Sequence, residues 1–161
     1  MRPFLSDMEE KFMRRALLCA KKAAMIGEVP VGAVIVRNGT VVSTGYNRRE
    51  TDKNALRHAE ITAIDRACKK LGGWRLWECD IYVTLEPCPM CAGAIINSRI
   101  RNVYIGAPDK KNGAMGSVTA LQNSFTHKPS VFHGILADEC SAVLSDFFSE
   151  LRKKRNRRII E

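Results

Sequence analysis

Two short motifs in this chain could do chemistry: His58-Ala59-Glu60 and Pro87-Cys88-Pro89-Met90-Cys91. One imidazole nitrogen and two thiolates suit a zinc ion, and three protein ligands leave its fourth tetrahedral position open for a reactive water. Glu60 then stands free of the metal and can move protons. A redox Cys-x-x-Cys pair would have no use for a nearby His-x-Glu. A closed structural site would need Cys19, Cys68, Cys79 or Cys140, and none of these has a second cysteine at metal-gripping spacing. The reading is a catalytic zinc site, with His58, Cys88 and Cys91 as ligands and Glu60 as the proton carrier.

The spacing constrains the backbone that carries these residues. Cys88 and Cys91 lie three apart and share one face of a helical turn. Pro89 is tolerated in a first turn, and Cys91 to Ile96 reads as a helix whose N-terminal dipole favours thiolates. His58 and Glu60, two apart, would point roughly 200° apart on a regular spiral. Both can face one metal only from a helix start. Ile61, Ile64, Cys68 and Leu71 follow at helical spacing, which predicts a helix opening at about His58 with that stripe inward.

The rest of the chain alternates helices and strands. Met8 to Ile26 predicts a helix with Met13, Ala16, Leu17, Ala20 and Ala24 inward, closed by Gly27 and Pro30. Residues 31–36 and 40–45 predict strands joined by an Asn38-Gly39 turn. Residues 47–56 read as loop, 81–85 and 102–106 as strands, 108–117 as loop, and 131–133 as a short final strand. A last helix from Asp138 to about Arg155 has Cys140, Leu144, Phe147 and Leu151 as its inner stripe. The sum is an α/β fold, a three-layer α/β/α sandwich formed as one domain over 1–161. The zinc sits where two helix N-termini meet strand ends.

Composition narrows the class. Hydrophobic residues at 45% and charged residues at 27% are ordinary for a globular chain of 161 residues. The first twenty residues carry charges where a secretory leader needs an apolar run, and the metal thiols must stay reduced, so the expected compartment is the cytoplasm. No run reaches membrane-spanning length. The net charge of +9 is concentrated: residues 152–158 carry six cations in seven positions, and Lys11, Arg14, Arg15, Lys21 and Lys22 form a second group. Such a run on its own also suits a solvated tail, but a phosphate backbone explains the surface and a free base does not, so a nucleic acid is the expected partner.

From Met8 to about Arg155 the chain resembles the bacterial tRNA-specific adenosine deaminases of the cytidine-deaminase superfamily. The matching stretches include Glu28-Val29-Pro30-Val31-Gly32-Ala33-Val34, Gly45-Tyr46-Asn47-Arg48, His58-Ala59-Glu60-Ile61, Thr84-Leu85-Glu86-Pro87-Cys88-Pro89-Met90-Cys91 and Gly113-Ala114-Met115-Gly116-Ser117. The zinc motif belongs to the whole superfamily. Ile135-Leu136-Ala137-Asp138-Glu139-Cys140 and the last helix point to this branch, while guanine deaminases share Cys-Pro-Met-Cys and stand as the alternative. The resemblance implies a central five-stranded mixed sheet, a homodimer, one zinc per subunit, and conversion of the wobble adenosine of an arginine tRNA to inosine. Asn47, Asp109, Phe148 and Arg152 would then meet the RNA. Asn47 also suits a turn, and Phe148 adjoins the inner stripe of the last helix, so turn and core readings stand beside those roles. Pro108 and Thr126 depart from the family pattern. His127 and His133 are expected in ordinary polar roles.

Overall fold

The computed structural model describes residues 7–160; the ends of the expected 1–161 domain, residues 1–6 and 161, lie outside the described residues. Helix α1 (Asp7–Met25) is followed by strands β1 (Gly32–Arg37) and β2 (Thr40–Tyr46), then helix α2 (Ala59–Leu71) and strand β3 (Cys79–Leu85). Helix α3 (Pro89–Asn97), strand β4 (Asn102–Ala107), a 3₁₀ turn at Leu121–Ser124, strand β5 (Ser130–His133) and helix α4 (Ala137–Ile160) complete the order. The strands form one five-stranded sheet in the order β2-β1-β3-β4-β5. β1 runs antiparallel to β2 and β3, while β3–β4 and β4–β5 are parallel. Asn38 and Gly39 turn the hairpin with φ of 50° and 70°, the left-handed pair that a two-residue hairpin turn requires.

Both sheet faces are covered, which explains the unbroken apolar run of β1. Ile35, Ile81, Val83, Val103 and Ile105 pack with Ala59, Ala63, Ala92 and Ile95 of α2 and α3. On the other face Val34, Val36 and Tyr82 meet Phe12, Met13 and Leu17 of α1, with Cys140 of α4. Alternate strand residues thus feed two cores, the three-layer arrangement expected from the β-α-β pattern.

Two packing details differ from the periodicity reading. The buried face of α2 is Ala59, Ala63 and Ala67, not the Ile61-Ile64-Cys68-Leu71 stripe, which lies half-buried to exposed along its flank. The helix sits too close to β2 for large side chains. A β-carbon at Gly45 would overlap the Ala59 carbonyl oxygen and come within 2.8 Å of the Ala63 nitrogen, and Ser43 Oγ donates to the Ala63 carbonyl at 2.7 Å. On α4, Cys140 is buried and Leu144 and Phe147 are half-buried, but Leu151 is 50% exposed. The helix has run past the sheet there, and residues 150–159 are all exposed.

The close seat of α2 is testable. Gly45→Ala should cost about 1–3 kcal/mol by overpacking, read as a lower urea midpoint with an unchanged slope, and should lower the zinc content of the purified protein. Gly73→Ala, at a glycine with open space around its Cβ position, should stay within about 0.5 kcal/mol.

Candidate active site

The first turns of α2 and α3 meet at the ends of the strands. His58 is the N-cap of α2 (φ −77°, ψ 156°) and Cys88 the N-cap of α3 (φ −70°, ψ 172°). Both are extended, so neither side chain is bound to the helical spiral that would have turned His58 away from Glu60. Pro89 opens α3 without leaving an orphan N–H, and places Cys91 in its first turn. His58 Nδ1 lies 3.5 Å from Cys91 Sγ and 3.7 Å from Cys88 Sγ, and the three donor atoms all lie within 4.8 Å of one another. Zinc with N and S ligands at about 2.0 and 2.3 Å and tetrahedral angles needs them about 3.5 Å apart. The donor set and its spacing fit that ion.

The electrostatics suit a cation. Without metal, a hydrogen bond from Cys91 pushes the Cys88 thiol down to about 4, with His58 adding to the shift. The same bond, with burial and the Glu60 carboxylate behind it, holds Cys91 well above the usual thiol range. Glu60 is buried, and its desolvation pushes its pKa up. It lies in the first turn of α2, where backbone N–H groups and the helix dipole favour an acid. Glu60 lines a cleft of about 280 Å³ together with His58 and Cys88. The cleft walls are apolar at Val29, Val31 and Leu85, and polar at Asn47, Arg49, Asp109 and Asn112. Such a pocket admits one planar, partly polar ring.

Of the sequence-predicted contact residues, Asn47 and Asp109 reach the cleft. Asn47 is buried; its Nδ2 donates to the Val29 carbonyl (3.3 Å) and its Oδ1 accepts from the Arg49 N–H (3.3 Å), so it also shapes the turn. Asp109 Oδ1 accepts from the N–H groups of Lys111 and Asn112, both at 3.0 Å. Phe148 and Arg152 are not among the cleft residues; they lie exposed on α4, with Phe148 edge-on to Phe147. Its 43% exposure favours the surface over the core reading. His127 and His133 each donate to a backbone carbonyl, of Ile100 and Met115.

Two buried carboxylates were not anticipated as site residues. Glu28 Oε1 accepts from the Thr51 N–H (2.6 Å) and hydroxyl (2.8 Å), tying the loop before β1 to the loop that bears Asn47. Glu86 accepts from the Ser117 hydroxyl (2.6 Å) and N–H (3.2 Å), pinning the 108–117 loop beside Pro87 and Cys88. The signal available was an acid embedded in an apolar run, Glu28-Val29-Pro30-Val31 and Leu85-Glu86-Pro87.

Known proteins share this arrangement. A model of the family described as the cytidine and deoxycytidylate deaminase zinc-binding region matches residues 6–107. The "tRNA-specific adenosine deaminase" of Bacillus subtilis is 49% identical over 149 residues, covering 91% of this chain and 92% of that one. The protein of that name from Haemophilus influenzae is 42% identical, covering 93% and 88%. A solved structure from a study of A-to-I editing by tRNA:A34 deaminases superposes with a TM-score of 0.81 at 43% identity, covering 83% of this chain and 99% of that one. Bacillus subtilis guanine deaminase superposes with a TM-score of 0.61 at 35% identity, covering 74% and 75%. The fold and the donor set are those of a zinc-dependent hydrolytic deaminase, and the chain belongs to the cytidine and deoxycytidylate deaminase family. Within it, the chain groups with the proteins named tRNA-specific adenosine deaminase.

Because Cys91 holds its proton without metal, zinc uptake must release that proton. Apparent zinc affinity should therefore rise by about tenfold per pH unit for each proton released. Competition with a chromophoric chelator across pH measures this; a pH-independent affinity would mean that Cys91 does not ligate.

Proposed function

We propose that this protein converts the wobble adenosine of a tRNA anticodon to inosine. The observation that carries the reading is a buried carboxylate, Glu60, in the same cleft as a three-donor metal site to which it does not belong. Relatives over most of the chain are named tRNA-specific adenosine deaminase, a similar solved structure comes from a study of A-to-I editing at the wobble position of tRNA, and the choice of an arginine tRNA rests on the family resemblance.

In this mechanism His58, Cys88 and Cys91 would hold the zinc. The ion's contribution is to acidify a water so that it is a nucleophile near neutral pH. Glu60 takes the water's proton and delivers it to N1 of adenine, which makes C6 electrophilic. After attack at C6, Glu60 takes the proton of the newly added hydroxyl and passes it to the amine, which leaves as ammonia while the C6 carbonyl forms. Its raised affinity for protons, a result of burial, suits a group that accepts and returns one. Asn47 and Asp109 position the base and its neighbour. An adenine within a stack would not fit this cleft, so the base must be splayed from a single-stranded loop, where unstacking costs least.

The exposed end of α4, with Phe148, Arg152 and the cations that follow, would bind the RNA backbone. A homodimer, which the family resemblance implies, would cover the half-buried Ile61 and the exposed Leu71 of α2. A cytoplasmic location follows from the tRNA substrate and the reduced thiols; among the described residues no helix is long and apolar enough to cross a membrane. A guanine deaminase is the second reading, favoured by the likeness to the Bacillus subtilis enzyme.

An anticodon stem-loop with wobble adenosine, set beside free guanine, cytosine and deoxycytidylate, decides between the two. Inosine from the stem-loop alone is the expected result; turnover of a free base with intact RNA would favour the second. Glu60→Ala should retain zinc and fold while losing activity by at least about two to four orders of magnitude, and substantial residual turnover would remove the proton role. Deleting residues 152–161 should weaken RNA binding and flatten its log–log salt dependence by up to about 4, as expected for six lost cations against single-stranded RNA. An unchanged slope would make that segment a solvated end.

A further inference from the structure

Both tryptophans of the chain lie in the α2–β3 connection, and both are exposed, Trp74 at 50% and Trp77 at 53%. Between them Leu76 is fully buried, and its N–H donates to the Ser98 carbonyl at 2.7 Å, so the connection is anchored and the indoles are held outward. The Arg75 guanidinium lies 4.1 Å from the centre of the Trp74 ring, and Arg99 approaches the same ring at 5.8 Å. Trp77 packs edge-on to His127 at 6.1 Å. The nearby acids already have partners: Asp65 with Lys69, Glu78 with Arg37, and Asp80 with Arg101. Arg75 and Arg99 therefore carry charge with no acid against it among the described residues.

This face is remote from the cleft. His58 begins α2 and the connection follows its other end, about 20 Å away along 13 residues of helix. A free base in the cleft could not touch both. Exposed indoles alone would suit a protein partner equally well. Indoles layered with unpaired guanidinium groups are instead the combination that stacks bases and neutralises phosphates.

We propose that the Trp74–Trp77 face is a second RNA-binding surface, which stacks unpaired bases of the RNA whose anticodon occupies the cleft. The proposal rests on the RNA-deaminase reading and adds a surface to it. A substrate larger than an anticodon loop gains affinity there by contacts that play no part in the chemistry.

The chain supplies its own probe, because its tryptophan emission comes from this face alone. Titrating a full-length tRNA transcript with wobble adenosine should quench that emission, and added salt should reverse the quenching. Trp74→Ala/Trp77→Ala, at exposed positions, should raise KM for the transcript by on the order of tenfold or more and leave kcat unchanged. Turnover of the short anticodon stem-loop reports on the cleft separately. Stem-loop turnover with no transcript-dependent quenching, and with an unchanged KM in the double variant, would overturn this proposal while leaving the cleft reading intact. Failure of the stem-loop itself to yield inosine would count against the cleft reading. A drop in sedimenting mass of the double variant, without quenching by RNA, would assign the face to a second copy of the chain and overturn the proposal as well.

Discussion

Both helices of the site begin on a residue that forgoes capping to present a metal donor. His58 and Cys88 are the N-caps of α2 and α3, and neither makes the side-chain capping bond usual at such positions. The orphan N–H groups and the positive ends of two helix dipoles therefore converge where thiolates must be held. A metal that neutralises the thiolates and helix ends that favour them are parts of one electrostatic balance. Removing either helix start would leave the remaining donors too few to hold the ion. The fold around this point serves chiefly to keep two helix starts in register.

Register is enforced by close packing. Gly45 lets the first turns of α2 lie directly on β2, with Ala59 and Ala63 as the contact. Gly32 does the same for α1, where a β-carbon would overlap the Ala16 carbonyl oxygen. A small-residue interface tolerates little sliding, since there are no flexible side chains to repack. The loops around the cleft are held by buried acids, Glu28 on Thr51 and Glu86 on Ser117. The cleft is thus shaped mainly by backbone, which suits a site that must seat one base the same way each time.

Much of this was legible in the sequence. The His58, Cys88 and Cys91 spacing pointed to three donor atoms that the fold does bring together, because metal coordination demands particular atoms at particular separations. The two-residue offset of Glu60 from His58 forced a helix start at that point, and α2 begins at Ala59. The Asn38-Gly39 hairpin followed equally directly from local chemistry. What periodicity misread was the side of α2 that faces the sheet. Apolar stripes mark what wants burial, and a glycine on another element can make alanine the better neighbour. Leu151 continued a helical pattern past the end of the surface it would have packed on, which only the strand lengths reveal. Glu28 and Glu86 escaped notice because their partners, Thr51 and Ser117, are distant in sequence.

The central claim is an open metal site beside a carboxylate that is not a ligand. X-ray absorption at the zinc edge of the loaded protein, compared with that of Glu60→Ala, tests it most directly. The account predicts two sulfur and two light-atom neighbours in both proteins, one light atom from the imidazole and the other from solvent. A third sulfur, or loss of a light atom on removing Glu60, would contradict it.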